Sequence, residues 1–140
     1  MFLKHYGYEM KRVHLKTGDY TIEGYEDKMV IEKKSGLAEL LGNLTASYRP
    51  TFKRFLARLS EVPIKAIVVE DDLSRVTSVI KELQSRSNGR SRLTETTVYY
   101  WVAQITLHYR IPIIFTGRDW RVQGHIIEHL IKEAYKQCLI

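Results

Sequence analysis

The stretch TGDYTIEGYEDKMVIEKKS, residues 17–35, runs from a Gly-Asp turn into an apolar segment that ends in Glu32, Lys33 and Lys34. Residues 20–23 and 28–34 each alternate apolar and polar side chains, which is the period of a half-buried strand. They read as an antiparallel hairpin with GYED between the strands. Pairing about the midpoint between Tyr25 and Glu26 sets Tyr20 opposite Ile31 and Ile22 opposite Met29 on one side. Asp19 then meets Glu32 on the other side, with Lys34 two residues on and facing the same way. GYED is not a preferred tight-turn sequence, so the register stays open by a residue or two.

Like charges facing each other across strands repel, because opposed Cβ atoms are only about 4.5–5.5 Å apart. A divalent cation offsets that repulsion. Mg2+ prefers oxygen ligands and takes one or two carboxylates together with waters and phosphate oxygens. A lysine beside the pair can stabilise charge developing on a phosphate or help orient the attacking water. Two acids and a lysine thus suit metal-dependent phosphodiester cleavage. The competing reading is plainer: Asp19 serves a turn, and Glu32, Lys33 and Lys34 form a solvated strand end.

Working outward, residues 11–15 read as a short extended segment entering the Gly18-Asp19 turn. After the hairpin, Leu37, Leu40, Leu41 and Leu44 recur at helical spacing. Pro50 interrupts that pattern, Thr51 can cap, and Phe52, Phe55, Leu56 and Leu59 resume it. IKAIVV, residues 64–69, is a continuous apolar run suited to a buried strand. Leu73, Val76, Ile80 and Leu83 mark the next helix, and the polar SRSNGRSR of residues 85–92 reads as a loop. Thr94 opens a helix that carries Val98, Trp101, Val102 and Ile105 on one face. IPIIF, residues 111–115, is a second buried strand. Asp119 can cap a last helix with Val122, Ile126, Ile127, Leu130, Ile131 and Ala134 inward. Buried strands alternating with helices predict an α/β sandwich whose later strands are parallel.

The 140 residues fit one domain with a real core. The longest apolar runs are too short to span a bilayer, and no signal segment opens the chain. The single Cys138 excludes an internal disulfide and a cysteine-cluster zinc site, which fits a reducing intracellular setting, cytoplasm or nucleoid or nucleus. The net charge of +6 suits a polyanionic partner such as DNA. Arg49, Lys53, Arg54 and Arg58 fall on or just before the second helix, and Arg86, Arg90 and Arg92 in the loop. Together they can track a phosphate backbone, or they are an ordinary solvated face. HIIEH, residues 125–129, matches a zinc-protease pattern, but its third ligand normally lies well downstream; a mixed surface face is the better reading. In VYYW, residues 98–101, Trp101 belongs to the core, with Tyr99 or Tyr100 at the surface.

GDYTIEG, VIEKKS, a leucine-rich helix, a basic helix and IVVE together resemble the XPF-type structure-specific DNA endonucleases, part of the PD-(D/E)xK restriction-nuclease-like superfamily. The resemblance runs from about Leu15 to the last helix. It implies a restriction-endonuclease-like three-layer α/β/α sandwich, with a mixed sheet and an N-terminal antiparallel hairpin. It also implies Mg2+- or Mn2+-dependent hydrolysis of phosphodiester bonds in branched or forked DNA, in repair or recombination. Asp19 matches the family's Gly-Asp acid, a metal ligand. Glu32 matches the Glu of Glu-Arg-Lys, also a ligand, and Lys34 its catalytic lysine. Lys33 stands where the family has arginine, which keeps the charge but loses the planar fork. Glu70, ending IVVE, and Glu39 are additional candidates.

The chain departs from the family pattern twice. Relatives open with a strand ending in Asp-x-Arg-Glu, whereas residues 1–17 contain no aspartate. Residues 1–140 are accordingly expected to form one nuclease-like domain lacking the family's first strand. The acid that follows Glu-Arg-Lys is also displaced, with Ala38 in its slot and Glu39 one position later. These departures keep open a catalytically inactive DNA-binding or scaffold subunit, and more distantly a junction resolvase. The family resemblance further implies a homodimer or a partner subunit.

Overall fold

Strand β2 (Ile64–Val69) lies at the centre of a three-stranded sheet in the computed structural model, which describes residue 15 and residues 17–139. Its apolar composition explains the position, since Ala66, Ile67, Val68 and Val69 are all buried and such a strand must be covered on both faces. Strand β1 (Met29–Lys34) pairs with it in parallel, with Met29 opposite Ile64 and Lys34 opposite Val69. Strand β3 (Ile113–Phe115) flanks the other side, also parallel. All three strands therefore end at one edge of the sheet.

Between β1 and β2 run α1 (Leu37–Asn43) and α2 (Arg49–Ser60). Between β2 and β3 come a 3-10 turn (Leu73–Arg75), α3 (Val76–Arg86), α4 (Glu95–Ala103) and a π-helical turn (Gln104–His108). These helices share one core with Val30, Ile67 and Val69, the side chains of one sheet face. Two crossovers of the same hand must cover the same face when the strands step in one direction. The alternate side chains Met29, Ile31 and Val68 pack on the opposite face against Ile127 and Ala134 of α5 (Trp120–Cys138). Helix, sheet and helix make the expected three layers.

The expected antiparallel hairpin does not form, and the sheet is parallel among the described residues. Tyr20 does face Ile31, but as an isolated antiparallel bridge. Its N–H donates to the Ile31 carbonyl at 3.0 Å and its carbonyl accepts from the Ile31 N–H at 2.9 Å. Beyond it the Thr21 hydroxyl donates to the Met29 carbonyl at 2.6 Å, where a ladder would place a backbone donor. The chain then folds into successive turns through Gly24 at φ +87, with Tyr25 N–H donating to Ile22 O at 2.8 Å. Alternation in residues 20–23 therefore reports a segment half-buried against β1 and α5, not a strand. Ile22 still packs on the cluster containing Met29.

Other boundaries also move. Thr51 does not cap α2; the helix begins at Arg49, with Pro50 in its first turn, where proline's missing N–H costs nothing. Thr94 and Asp119 cap α4 and α5 as expected, accepting from Thr97 N–H and Arg121 N–H. Val122 is 43% exposed and so is not inward-facing. Trp101 is buried, with Tyr99 and Tyr100 at the surface. The extended segment expected at residues 11–15 lies, apart from Leu15, outside the described residues. Among the described residues no helix is long and apolar enough to cross a membrane.

Candidate active site

The candidate residues gather where β1 ends. Gly18 has φ +78, the left-handed region that glycine occupies without strain. A Cβ there would lie 2.2 Å from Val30 Cγ1 and 3.2 Å from the Ile31 carbonyl. Glycine alone lets the turn press this closely against β1, and the turn sets the position of Asp19. The Asp19 Oδ2 accepts the backbone N–H of Lys33 at 2.7 Å, which clamps its carboxylate to the strand.

Glu32 projects from the same strand, with its side chain 13% exposed. Its pKa is pushed up to about 7: burial is the largest cause, the Asp19 carboxyl beside it adds to the rise, and Lys34 opposes it. Asp19 and Glu32 are thus near enough for one carboxyl to raise the other's pKa, and one bridge rather than a hairpin joins their segments. Glu32 neighbours one cation and one anion in a poorly solvated spot, and burial outweighs the cation's help.

Lys34 is 6% exposed. Its Nζ lies 2.8 Å from Glu32 Oε2 and 3.9 Å from Glu39 Oε1. It is also 5.6 Å from the ring centroid of Phe52 and 5.7 Å from that of Phe55, both on α2. A buried ammonium needs such partners, and two aromatic faces add attraction that water would otherwise supply. Local sequence offers no sign of this clamp, because Phe52 and Phe55 read as part of the helix's apolar stripe. Glu39 is held on its other oxygen by Ser35, through the N–H at 2.8 Å and the hydroxyl at 2.9 Å.

Lys33 and Glu70 pair with each other at 3.6 Å. Alternation along β1 sends Lys33 to the face opposite Glu32 and Lys34. There it borders Tyr20, whose hydroxyl pKa is raised, chiefly by burial and against the pull of Lys33. The structure therefore splits the candidates: Asp19, Glu32, Lys34 and Glu39 in one group, Lys33 and Glu70 in another.

Asp71 is not among the residues that sequence singles out, yet it holds the edge together. It is 4% exposed and accepts the Leu37 N–H at 2.8 Å at the start of α1, where Gly36 has no capping side chain. Arg75 donates to both its oxygens, at 2.9 and 2.8 Å. Burial pushes the Asp71 pKa up, but the Leu37 N–H, Arg75 and the Asp72 N–H together hold it below the ordinary carboxylate range. A partner 34 residues away in sequence leaves no local mark.

The basic candidates divide as well. Arg49 spends its guanidinium on the Leu44 carbonyl, with Nε at 3.1 Å and Nη2 at 2.8 Å, closing the end of α1. Lys53, Arg54 and Arg58 are exposed along α2, the helix whose phenylalanines flank Lys34, and Arg90 and Arg92 are exposed in the α3–α4 loop. In the HIIEH stretch, Glu128 pairs with Lys132 at 2.8 Å and His129 Nδ1 contacts the His125 carbonyl at 2.8 Å. Among the described residues no three His, Cys, Asp or Glu side chains are grouped to hold a metal ion. What exists for a cation is the neighbouring pair Asp19 and Glu32. Its hard oxygen donors suit a divalent ion that completes its shell with water and phosphate oxygens.

An α/β sandwich with a parallel sheet and this charged edge is consistent with a nuclease-like fold. The ERCC4 domain model matches residues 1–130, and the chain belongs to that family, the XPF-type nuclease domain. The family comprises structure-specific DNA endonucleases that are generally dependent on a divalent metal, and this chain is accordingly a DNA-acting nuclease domain at the level of its family. A comparison with curated proteins returns no match.

Proposed function

We propose that this chain is a Mg2+- or Mn2+-dependent endonuclease that hydrolyses phosphodiester bonds in branched or forked DNA. Asp19 and Glu32 would hold the cation, which when bound neutralises charge on the phosphate under attack. Asp19 is pre-set for this by the Lys33 N–H, which fixes its carboxylate before any ion arrives. Lys34, held by Glu32, Glu39, Phe52 and Phe55, stabilises the charge that develops on the phosphate oxygens. Lys53, Arg54 and Arg58 on α2, with Arg90 and Arg92, follow the DNA backbone. Residues 1–140 act as one nuclease-like domain, completed by a second copy or a partner subunit.

The observation that carries this reading is Asp19 fixed at 2.7 Å on the Lys33 N–H beside a buried Glu32 that holds Lys34 at 2.8 Å, with the Glu32 pKa raised to about 7. A desolvated Glu32 beside the Asp19 carboxylate costs stability in its charged form unless a cation joins them. Asp19→Asn and Glu32→Gln should each abolish metal-dependent cleavage of forked DNA while leaving the circular dichroism spectrum unchanged. Both should also weaken Mn2+ binding measured by calorimetry. Cleavage equal to wild type in either variant would remove the site.

A second reading, a non-catalytic DNA-binding subunit, draws on Glu39. One of its oxygens is taken by Ser35 at the start of α1, and the other is 3.9 Å from the Lys34 ammonium, which leaves Glu39 committed within the protein. It predicts salt-sensitive DNA binding without cleavage under any divalent ion, and Asp19-dependent cutting eliminates it.

A further inference from the structure

The edge of the sheet that bears the site also carries one large side chain the core does not use. Trp120, the first residue of α5, is 73% exposed, whereas Trp101 is 7% exposed in the core. An indole left in water forgoes a large burial gain, and tryptophan is usually highly buried. Arg118 and Arg121 flank it and are both exposed. The Asp119 carboxylate accepts the Arg121 backbone N–H at 2.9 Å and its Nε and Nη2 at 3.3 Å each, so that guanidinium is held beside the helix start.

This segment is tied to the site by hydrogen bonds rather than loosely appended. Thr116 N–H donates to Val69 O at 3.0 Å, and Gly117 N–H to Asp71 O at 2.9 Å. Gln123 Nε2 closes back on the Gly117 carbonyl at 3.0 Å. Asp71 in turn grips the Leu37 N–H, just past Lys34. Trp120 is three residues beyond Gly117, so its Cα lies within roughly 11 Å of that anchor. β1 and β3 are two strand spacings apart, roughly 9.5 Å. The indole and the Lys34 ammonium thus lie toward the same strand-end edge, α5 covering the face opposite Lys34, within a reach of a few nucleotides.

We propose that Trp120 is a stacking platform for an unpaired base of the DNA substrate, with Arg118 and Arg121 against the adjoining phosphates; this rests on the DNA-cleaving reading above. An aromatic face between Arg118 and the Asp119-paired Arg121, on a chain of net charge +6, complements a base and its backbone. A continuous duplex hides its base faces in the stack, so the occupant is a nucleotide in a single-stranded arm or at a branch. Trp120 would then make the chain prefer forked DNA over plain duplex.

The test uses the full chain, with EDTA present so that binding is read without cleavage. Fork and duplex DNA of equal length are titrated against wild type, Trp120→Ala and Trp120→Phe. Fork affinity should fall about tenfold in Trp120→Ala and recover in Trp120→Phe, with duplex affinity unchanged. Of the chain's two tryptophans only Trp120 is open to stacking, so fork DNA should quench the solvent-exposed part of the emission in wild type and not in Trp120→Phe. Trp120 lies mostly in water, and thermal melting of the variants should match wild type. A wild type that cuts forks with metal, beside a Trp120→Ala variant that binds them equally well, overturns the stacking role and leaves the nuclease reading standing. A wild type that neither binds nor cuts forks overturns both. Loss of self-association in Trp120→Ala, with fork binding intact, would overturn the stacking role and assign the indole to a protein interface instead.

Discussion

Glu32→Gln should make the metal-free protein gain stability relative to wild type as pH rises to 8 while destroying its proposed activity. Glutamine has the shape of the protonated acid but no proton to lose. In the folded chain Glu32 titrates at about 7, against 4.5 for an ordinary glutamate. Between those values the folded state binds more protons than the unfolded one, so stability falls as pH rises through the window. The cost is absent below pH 4.5 and complete above 7, where it amounts to about 3 kcal/mol. Between pH 5 and pH 8 the stability difference should therefore move in the variant's favour by about 2–3 kcal/mol. Urea unfolding of both proteins in EDTA across that range measures it. Losing the 2.8 Å Glu32–Lys34 pair adds an offset, but the growth of the difference with pH isolates the titration. Parallel pH profiles would refute the reasoning. Adding Mn2+ at pH 8 should raise the midpoint of wild type and not of Glu32→Gln.

Gly18→Ala should lower the melting temperature by several degrees and abolish cleavage, since it introduces a Cβ 2.2 Å from Val30 Cγ1 at φ +78 and displaces Asp19; wild-type melting would show that the turn can yield. Asp71→Ala should cost about 2 kcal/mol in urea unfolding by stripping the Leu37 N–H and Arg75 of their partner, yet leave Mn2+ affinity near wild type. The loss should shrink in acid, because the Asp71 carboxylate is held below its ordinary pKa and its stabilisation fades as pH falls through that range. Arg54→Ala with Arg58→Ala should weaken DNA binding across sequences. The plot of log affinity against log salt should flatten by about 0.9 for each phosphate that the pair neutralises in wild type. An unchanged slope would make these side chains an ordinary solvated face.

Much of the framework is legible in the sequence because its causes are local. The run of residues 64–69 is apolar throughout, and β2 occupies those same positions with both faces covered. Thr94 and Asp119 precede helical spacing with a side chain able to accept an N–H, and both cap the helices they precede. The hairpin is absent because alternation measures half-burial, which a turn-rich segment lying on β1 achieves as well as a strand does. Glu39 does come near Lys34, but its tie to Ser35 gives it a role in starting α1 that spacing does not distinguish.

The residue types and order of this chain determine an α/β domain, a positive net charge and a carboxylate pair beside a lysine. Tertiary structure alone decided where the other acids fall: Glu39 between Ser35 and Lys34, and Glu70 away with Lys33. It also enclosed Lys34 between two phenylalanines and made Asp71 the clasp of the edge. The reason is range. Propensity and periodicity act over a few residues, whereas desolvation and ion pairing depend on which distant elements the packed sheet brings within a few ångströms.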